Sequence, residues 1–124
     1  MKKILVVDDE PDITFSIKLV LETNGFASVD IFNDPADVIS EYSSQPVTKY
    51  DLLIIDLLMP RMNGFELYEK IKEIDSDVKA CFITAYRMYF EALREMYPDY
   101  EVDCFMNKPI ENEDLLRKVA SAIS

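Results

Sequence analysis

The stretch that decides the fold is Asp51-Leu-Leu-Ile-Ile-Asp56-Leu-Leu-Met-Pro60-Arg-Met-Asn-Gly64. Leu and Ile run almost unbroken between two aspartates, and the chain then breaks at Met59-Pro60 and reaches Gly64. A short apolar run bounded by turn signals reads as a strand buried on both faces, the kind found in a parallel sheet covered by helices. Asp56 then stands at the carboxyl end of that strand, the edge at which open α/β sheets bind ligands.

The rest of the chain repeats the pattern. Ile4 to Val7 reads as a first strand. Pro11 suits the first turn of a helix with an apolar stripe at Ile13, Ile17, Val20 and Leu21, which Asn24-Gly25 stops. Ala27 to Phe32 alternates as a second strand. Asp34 is placed to cap a helix that starts at Pro35 and faces Val38, Ile39 and Tyr42 inward, and residues 43 to 50 read as a loop. After the third strand, Phe65 to Ile74 reads as a helix burying Leu67, Tyr68, Ile71 and Ile74. Val78 to Thr84 is a fourth strand, Met88 to Tyr97 a fourth helix ended by Pro98, and Val102 to Met106 a fifth strand. A last helix carries Glu113 and Asp114 in its first turn, with Leu115, Leu116, Val119 and Ile123 as its stripe. Strands alternating with helices of this length imply right-handed crossovers and a five-stranded, doubly wound α/β sheet with helices on both faces.

Composition narrows the chemistry. The 124 residues suit one domain, residues 1–124, and no apolar run approaches a membrane span or the core of a secretory signal, which places the protein in the cytoplasm. Thirteen basic residues against twenty-four acidic ones give a net charge of −11, which repels a phosphate backbone and argues against direct nucleic-acid binding. The chain has no histidine, so Ser-His and Cys-His nucleophiles, imidazole bases and histidine metal sites are excluded. Cys81 and Cys104 stand far apart, without a C-x-x-C pair, and read as small buried hydrophobes on strands. What remains is carboxylate, hydroxyl and lysine chemistry with a hard metal ion.

The carboxyl edges of strands one, three, four and five carry Asp8-Asp9, Asp56, Thr84-Ala85 and Lys108-Pro109. Here the chain resembles the receiver domain of two-component response regulators, over nearly its whole length. The resemblance implies the flavodoxin-like strand order 2-1-3-4-5. It implies that Asp56 is the phosphoacceptor, that Asp9, Asp56 and the backbone carbonyl of Leu58 hold Mg²⁺ with Asp8 acting through water, and that Lys108 and Thr84 contact the transferred phosphoryl group. A cation is also what three clustered carboxylates require, and all-oxygen ligands suit Mg²⁺. The donor it implies is a phosphohistidine on a sensor histidine kinase or a histidine phosphotransfer protein. Phe105 occupies the position of an aromatic whose rotamer follows the phosphorylated state. The Lys108-Pro109 bond is expected to be cis.

Several positions depart from the family's common pattern. Residues 97 to 103 lack the usual glycine before strand five, and Arg61 and Asn63 stand where Gly and Asp are frequent. Leu58 and Tyr86 occupy the positions that influence hydrolysis of the acyl phosphate, and neither orients a water well, so slow self-dephosphorylation is expected. Met88, Tyr89, Phe90, Ala92, Leu93, Met96 and Tyr97 make helix four apolar on more than one face, either for an output protein or a homodimer using the helix 4, strand 5, helix 5 face or because the long loop before strand five folds over the extra residues. Two other readings are a degenerate receiver that serves only as a binding scaffold and a Mg²⁺-dependent phosphohydrolase with an aspartyl nucleophile. The first requires a missing nucleophile or lysine, and both are present. The second requires an acid two residues after the nucleophile, where this chain has Leu58.

Overall fold

A computed structural model describes residues 2–44, 50–98 and 104–124. Strands β1 (Lys2–Val7), β2 (Ala27–Phe32), β3 (Leu52–Asp56), β4 (Ala80–Thr84) and β5 (Cys104–Asn107) form one sheet in the order β2-β1-β3-β4-β5. Every pairing is parallel. Helices α1 (Pro11–Thr23), α2 (Pro35–Ser44), α3 (Gly64–Ile74), α4 (Arg87–Met96) and α5 (Asn112–Ile123) make the crossovers.

Successive side chains of a strand point to opposite faces, and here each face has its own core. Leu53 and Ile55 join Leu5, Val7 and Phe82 against α2, α3 and α4, through Val38, Phe65, Leu67 and Phe90. Leu52 and Ile54 join Ile4, Val6 and Ile83 against α1 and α5, through Ile17, Leu21, Leu115 and Val119. The unbroken Leu-Ile run therefore supplies two cores at once, which is why it shows no alternation.

Local signals set the helix ends. Pro11 begins α1, and Gly25 ends it in the left-handed region at φ 70°, with the Phe26 N–H donating back to Leu21 O. The Asp34 carboxylate accepts from Ala36 N–H at the start of α2. Asn63 and Glu66 form a reciprocal capping box on α3, each side chain accepting from the other's backbone N–H at 2.9 Å.

Several expectations are corrected. Helix α2 runs on to Ser44, β4 starts at Ala80 rather than Val78, and Ile74, expected inside, is exposed on the last turn of α3. Residues 45–49 and 99–103 lie outside the described residues, and with them most of the glycine-free loop and Val102, the expected start of the fifth strand. The largest correction concerns the cysteines. Cys81 and Cys104 are paired residues of the β4–β5 register, their Cα atoms 4.5 Å apart, and a disulfide joins them. Separation along the chain was no guide, because the crossover through α4 sets adjacent parallel strands side by side.

Candidate functional site

The site is assembled by extending the sheet one step past its strands. Asp8 follows β1, and its backbone N–H donates to Phe32 O of β2 at 3.1 Å. Leu57 follows β3 and donates to Ile83 O of β4 at 2.9 Å, while Lys108 follows β5 and donates to Thr84 O at 2.9 Å. The ladder thus fixes the backbone beside each chemical residue before any side chain acts. The Lys108–Pro109 bond is cis, as expected.

A single local device then orients the side chains. Asp8 Oδ1 accepts from Glu10 N–H at 2.9 Å, Asp56 Oδ1 from Leu58 N–H at 3.4 Å and Thr84 Oγ1 from Tyr86 N–H at 3.2 Å. In each case an oxygen bonds the N–H two residues on, the turn that Asp and Thr form readily. Asn33 donates to both Asp8 O (2.9 Å) and Thr14 Oγ1 (3.0 Å), bracing the β1–α1 loop from β2.

Gly64 lets the deciding stretch pass into α3 directly beside the end of β3. Its N–H donates to Leu57 O at 3.0 Å, and a Cβ there would stand 2.6 Å from the carbonyl oxygen of Asp56. Only a residue without Cβ lets α3 start this close to the end of β3. Between them Arg61 takes a positive φ of 73°, at the position where the family favours Gly, and its guanidinium pairs with Asp34 at 2.6 Å.

Asp8, Asp56 and Thr84 are buried, and Lys108 reaches in among the acids. Its Nζ lies 2.7 Å from Asp8 Oδ2, 3.1 Å from Glu10 Oε1 and 3.6 Å from Asp56 Oδ1. Burial, reinforced by the Asp8 charge, pushes the Asp56 carboxyl well above the usual carboxylate range against the pull of Lys108. Burial raises Asp8 as well, although Lys108 and the Glu10 N–H oppose the rise. For Lys108 burial acts downward, but the hydrogen bond to Asp8 and the charges of Asp56 and Asp8 outweigh it, and the ammonium is held above its ordinary range.

The structure therefore brings Asp8, Asp9, Asp56 and Lys108 together, with Asp9 in hydrogen-bonding reach of Asp56. Thr84 stands at the next strand end with its hydroxyl committed to its own turn. Leu58 is placed by the Asp56 turn and is partly exposed. Phe105 lies on β5, half-buried, its ring stacked on Phe90 of α4 with centroids 4.3 Å apart. On α4 itself Phe90 and Leu93 are buried, Tyr89 is half-buried, and Met88 and Met96 are exposed. Sequence reasoning missed Glu10, Thr14 and Asn33. Glu10 shares with Asp8 and Asp9 a group whose carboxylate oxygens lie within 4.8 Å of one another. That donor set is all oxygen and anionic, which fits a hard divalent cation. The chance to find Glu10 lay in its place two residues after the first acid of the pair, where a turn on Asp8 brings its backbone round.

Comparison with known proteins agrees with this fold. The family model described as the response regulator receiver domain matches residues 4–120. The Brucella abortus response regulator receiver protein CpdR is 30% identical, over 96% of this chain and 94% of its own. The Staphylococcus epidermidis response regulator ArlR is 31% identical over 99% of this chain, which spans about half of its length, 53%. Among solved structures, the Thermotoga maritima response regulator TrrA in complex with Mg(2+)-BeF superposes with a TM-score of 0.81 at 31% identity, covering 98% of this chain and 99% of that one. The Vibrio cholerae chemotaxis protein CheY4 shares the fold at a TM-score of 0.85 and 21% identity, covering 98% of each chain. The chain belongs to the response regulator receiver domain family.

Proposed function

We propose that residues 1–124 form a phosphorylation-switched signalling module that accepts a phosphoryl group on Asp56 from a phosphohistidine donor, a sensor histidine kinase or a histidine phosphotransfer protein. The observation that carries this reading is the buried Asp8–Lys108–Asp56 arrangement at the carboxyl edge of the sheet, with Lys108 Nζ 2.7 Å and 3.6 Å from the two carboxylates. A buried carboxylate beside an ammonium is a nucleophile with its counter-charge in place. An oxygen of Asp56 attacks phosphorus as the P–N bond of the donor breaks, the electron pair leaves with the imidazole, and an acyl phosphate forms. Lys108 meets the charge on the transferring oxygens, which is most of what phosphoryl transfer asks of a protein. Asp9, Asp56 and the Leu58 carbonyl would hold Mg²⁺, with Asp8 through water and Glu10 at the rim, and the ion would neutralise the same oxygens. Domains of this kind catalyse their own phosphorylation rather than the turnover of a substrate, and with no histidine among residues 1–124 the donor histidine lies outside them.

Output is read from α4, β5 and α5. Thr84 turning toward the phosphoryl group gives up its bond to Tyr86 N–H, and the Phe105–Phe90 stack answers by packing, since phenylalanine has no hydroxyl with which to report. The partner is an output protein or a second copy of the chain on that face. Nucleic acid is no direct partner of so acidic a domain. Among the described residues no helix is long and apolar enough to cross a membrane, and we place the protein in the cytoplasm with its donors.

The test is intact-mass analysis after incubation with acetyl phosphate, with Mg²⁺ or EDTA, on the parent and on Asp56→Asn. One phosphate that requires both Asp56 and the metal is expected. A parent protein that takes no phosphate, or an Asp56→Asn variant that takes it equally, would overturn the proposal.

A further inference from the structure

Away from the phosphoryl site, at the opposite end of the sheet, a cavity of about 740 Å³ opens among β4, β5, α3 and α5. Cys104 lines it, and so do Lys72, Lys79 and Lys118. Lys79 Nζ donates to Ala122 O at 3.4 Å and Lys118 Nζ to Phe105 O, so both ammonium groups are tied to the backbone at the cavity wall. Three lysines meeting at one cavity is a local reversal of sign in a chain whose net charge is −11. The two residues of the Cys81–Cys104 disulfide are unequally placed: Cys81 is fully buried, whereas Cys104 is only partly buried and borders the cavity.

We propose that Cys81–Cys104 is a reversible thiol–disulfide exchange site that reacts, through Cys104, with a low-molecular-weight thiol carrying carboxylates and with the disulfide of that thiol. Position supports reversibility. The disulfide ties the edge strand β5 to β4. The two strands are already hydrogen-bonded in register, so the dithiol form keeps its fold. Exchange rate follows access to sulfur and the stability of the thiolates that attack and leave. Cys104 borders the cavity, and the lysines that line the same cavity attract an anionic reagent to it. In the reductive direction the thiolate RS⁻ attacks Cys104 Sγ. The Cys81–Cys104 bond breaks, RS–S–Cys104 forms, and Cys81 leaves as a thiolate that takes up a proton. A second RS⁻ then attacks the RS sulfur, releasing Cys104 thiolate, which is protonated, and RSSR. Two electrons pass from two RSH to the protein, and oxidation by RSSR is the reverse. Cys81 lies three residues before Thr84 and Cys104 directly precedes Phe105, so the two states differ in a covalent tie between the strands that carry the proposed switch residues.

Glutathione and its disulfide serve as the anionic probe, and 2-mercaptoethanol with its disulfide as the neutral one. The folded parent protein, equilibrated over a series of thiol-to-disulfide ratios and then alkylated, is expected to pass between an unlabelled and a doubly labelled mass, in both directions. Cys81→Ser and Cys81→Ala, shown to be folded by circular dichroism, are expected to accumulate one glutathionyl group on Cys104, and Cys104→Ser to take up none. Lys79→Gln should slow the glutathione reaction roughly twofold to fivefold, the range of an exposed pair of opposite charges, and leave the neutral reagent unaffected. A parent protein that stays in one form at every ratio overturns the proposal without reference to any variant. Equal labelling of the two cysteine variants overturns the role of Cys104. Equal response of charged and neutral reagents to Lys79→Gln overturns the anionic class.

Discussion

Replacing Gly64 with alanine adds one methyl group at the junction of α3 with the site. The new Cβ would meet Asp56 O at 2.6 Å, Ile55 Cγ2 at 3.0 Å and Leu57 Cα at 3.1 Å. Two of the three are backbone atoms of the strand end that carries Asp56, so no side-chain rotation relieves them and α3 must back away. Overpacking of this kind costs about 1–3 kcal/mol. The helix preference of alanine over glycine, up to ~1 kcal/mol, offsets a part of it. A net loss of about 1–2 kcal/mol, or a Tm lower by roughly 4–10 °C for a chain of this size, is expected. The same displacement moves the Asp56 backbone relative to Lys108, and misplacement by a fraction of an ångström is expected to slow phosphorylation by acetyl phosphate roughly tenfold. Gly25→Ala is the control. Its Cβ meets nothing within 4 Å, but its φ of 70° penalises any side chain, so it should cost about 1–2 kcal/mol and leave the phosphorylation rate unchanged. The assays are thermal melting by circular dichroism and intact mass against time. A Gly64→Ala protein with parental Tm and parental rate would show that the approach of α3 to β3 does not constrain the site.

Lys108→Met removes the cation that faces Asp8, Glu10 and Asp56. In EDTA at neutral pH it should lose about 3 kcal/mol in denaturant unfolding, because the buried acids Asp8 and Asp56 lose their counter-charge and keep only single backbone N–H bonds, and phosphorylation should slow on the order of a hundredfold; a parental midpoint in EDTA would contradict the pairing. Arg61→Gly relieves a positive φ worth about 1 kcal/mol and loses an exposed ion pair worth less, whereas Arg61→Ala keeps the strain and loses the pair. The expected order of melting temperatures is therefore Gly, then Arg, then Ala, and any other order counts against the strain. Burial holds the Tyr50 phenol above its usual range, with its hydrogen bond to Asp30 adding to the rise, and burial does the same for Tyr42, whose hydroxyl has no hydrogen-bond partner among the described residues. The unfolded chain loses these protons near pH 10 while the folded one keeps them, so stability should hold up to that pH and fall above it. An alkaline unfolding midpoint unchanged in Tyr42→Phe/Tyr50→Phe would refute this. Leu58→Asn should hasten loss of phosphate from Asp56, followed by the decay of the phosphorylated mass, and an unaltered decay would show that Leu58 does not slow hydrolysis.

How much of this was legible in the chain depended on whether a feature is set by local pattern or by register. The run Leu52 to Ile55 is apolar because two cores claim alternate residues, and that requirement is visible without coordinates. The same holds for Pro11, Gly25 and the position of Asp56 at its strand end. Ile74 was misread because the apolar stripe of α3 finishes a turn before the helix does, and nothing in the spacing marks where the neighbouring core stops. Glu10 was passed over because a third acid after an acidic pair looks like a helix-start charge. Only the Asp8 turn and the reach of Lys108 draw it into the site. The Cys81–Cys104 pair lay furthest out of reach, since two strands can slide by a residue without changing their apolar content, and only the register Cys81–Cys104 opposes one sulfur to the other.

That contrast explains why the site was easier to read than the disulfide. In a parallel doubly wound sheet all carboxyl ends lie on one edge, so a residue placed at or just after each apolar run arrives there whatever the registers are. Asp8, Asp56, Thr84 and Lys108 obey this rule, and their arrival on one edge is a property of topology. The ladder then supplies the precision that topology lacks. The Asp8, Leu57 and Lys108 N–H groups each donate to the last carbonyls of a neighbouring strand, and three turns of the same type aim the oxygens of Asp8, Asp56 and Thr84. Of these three turns, that on Thr84 is the one the proposed switch must break. Its hydroxyl accepts from Tyr86 N–H, and in the proposed switch the side chain leaves that bond as it turns its O–H toward a phosphoryl oxygen. In the proposed switch the exchange falls at the β4–α4 junction, where Thr84 holds the backbone N–H of Tyr86 and Phe90 of α4 stacks on Phe105 of β5.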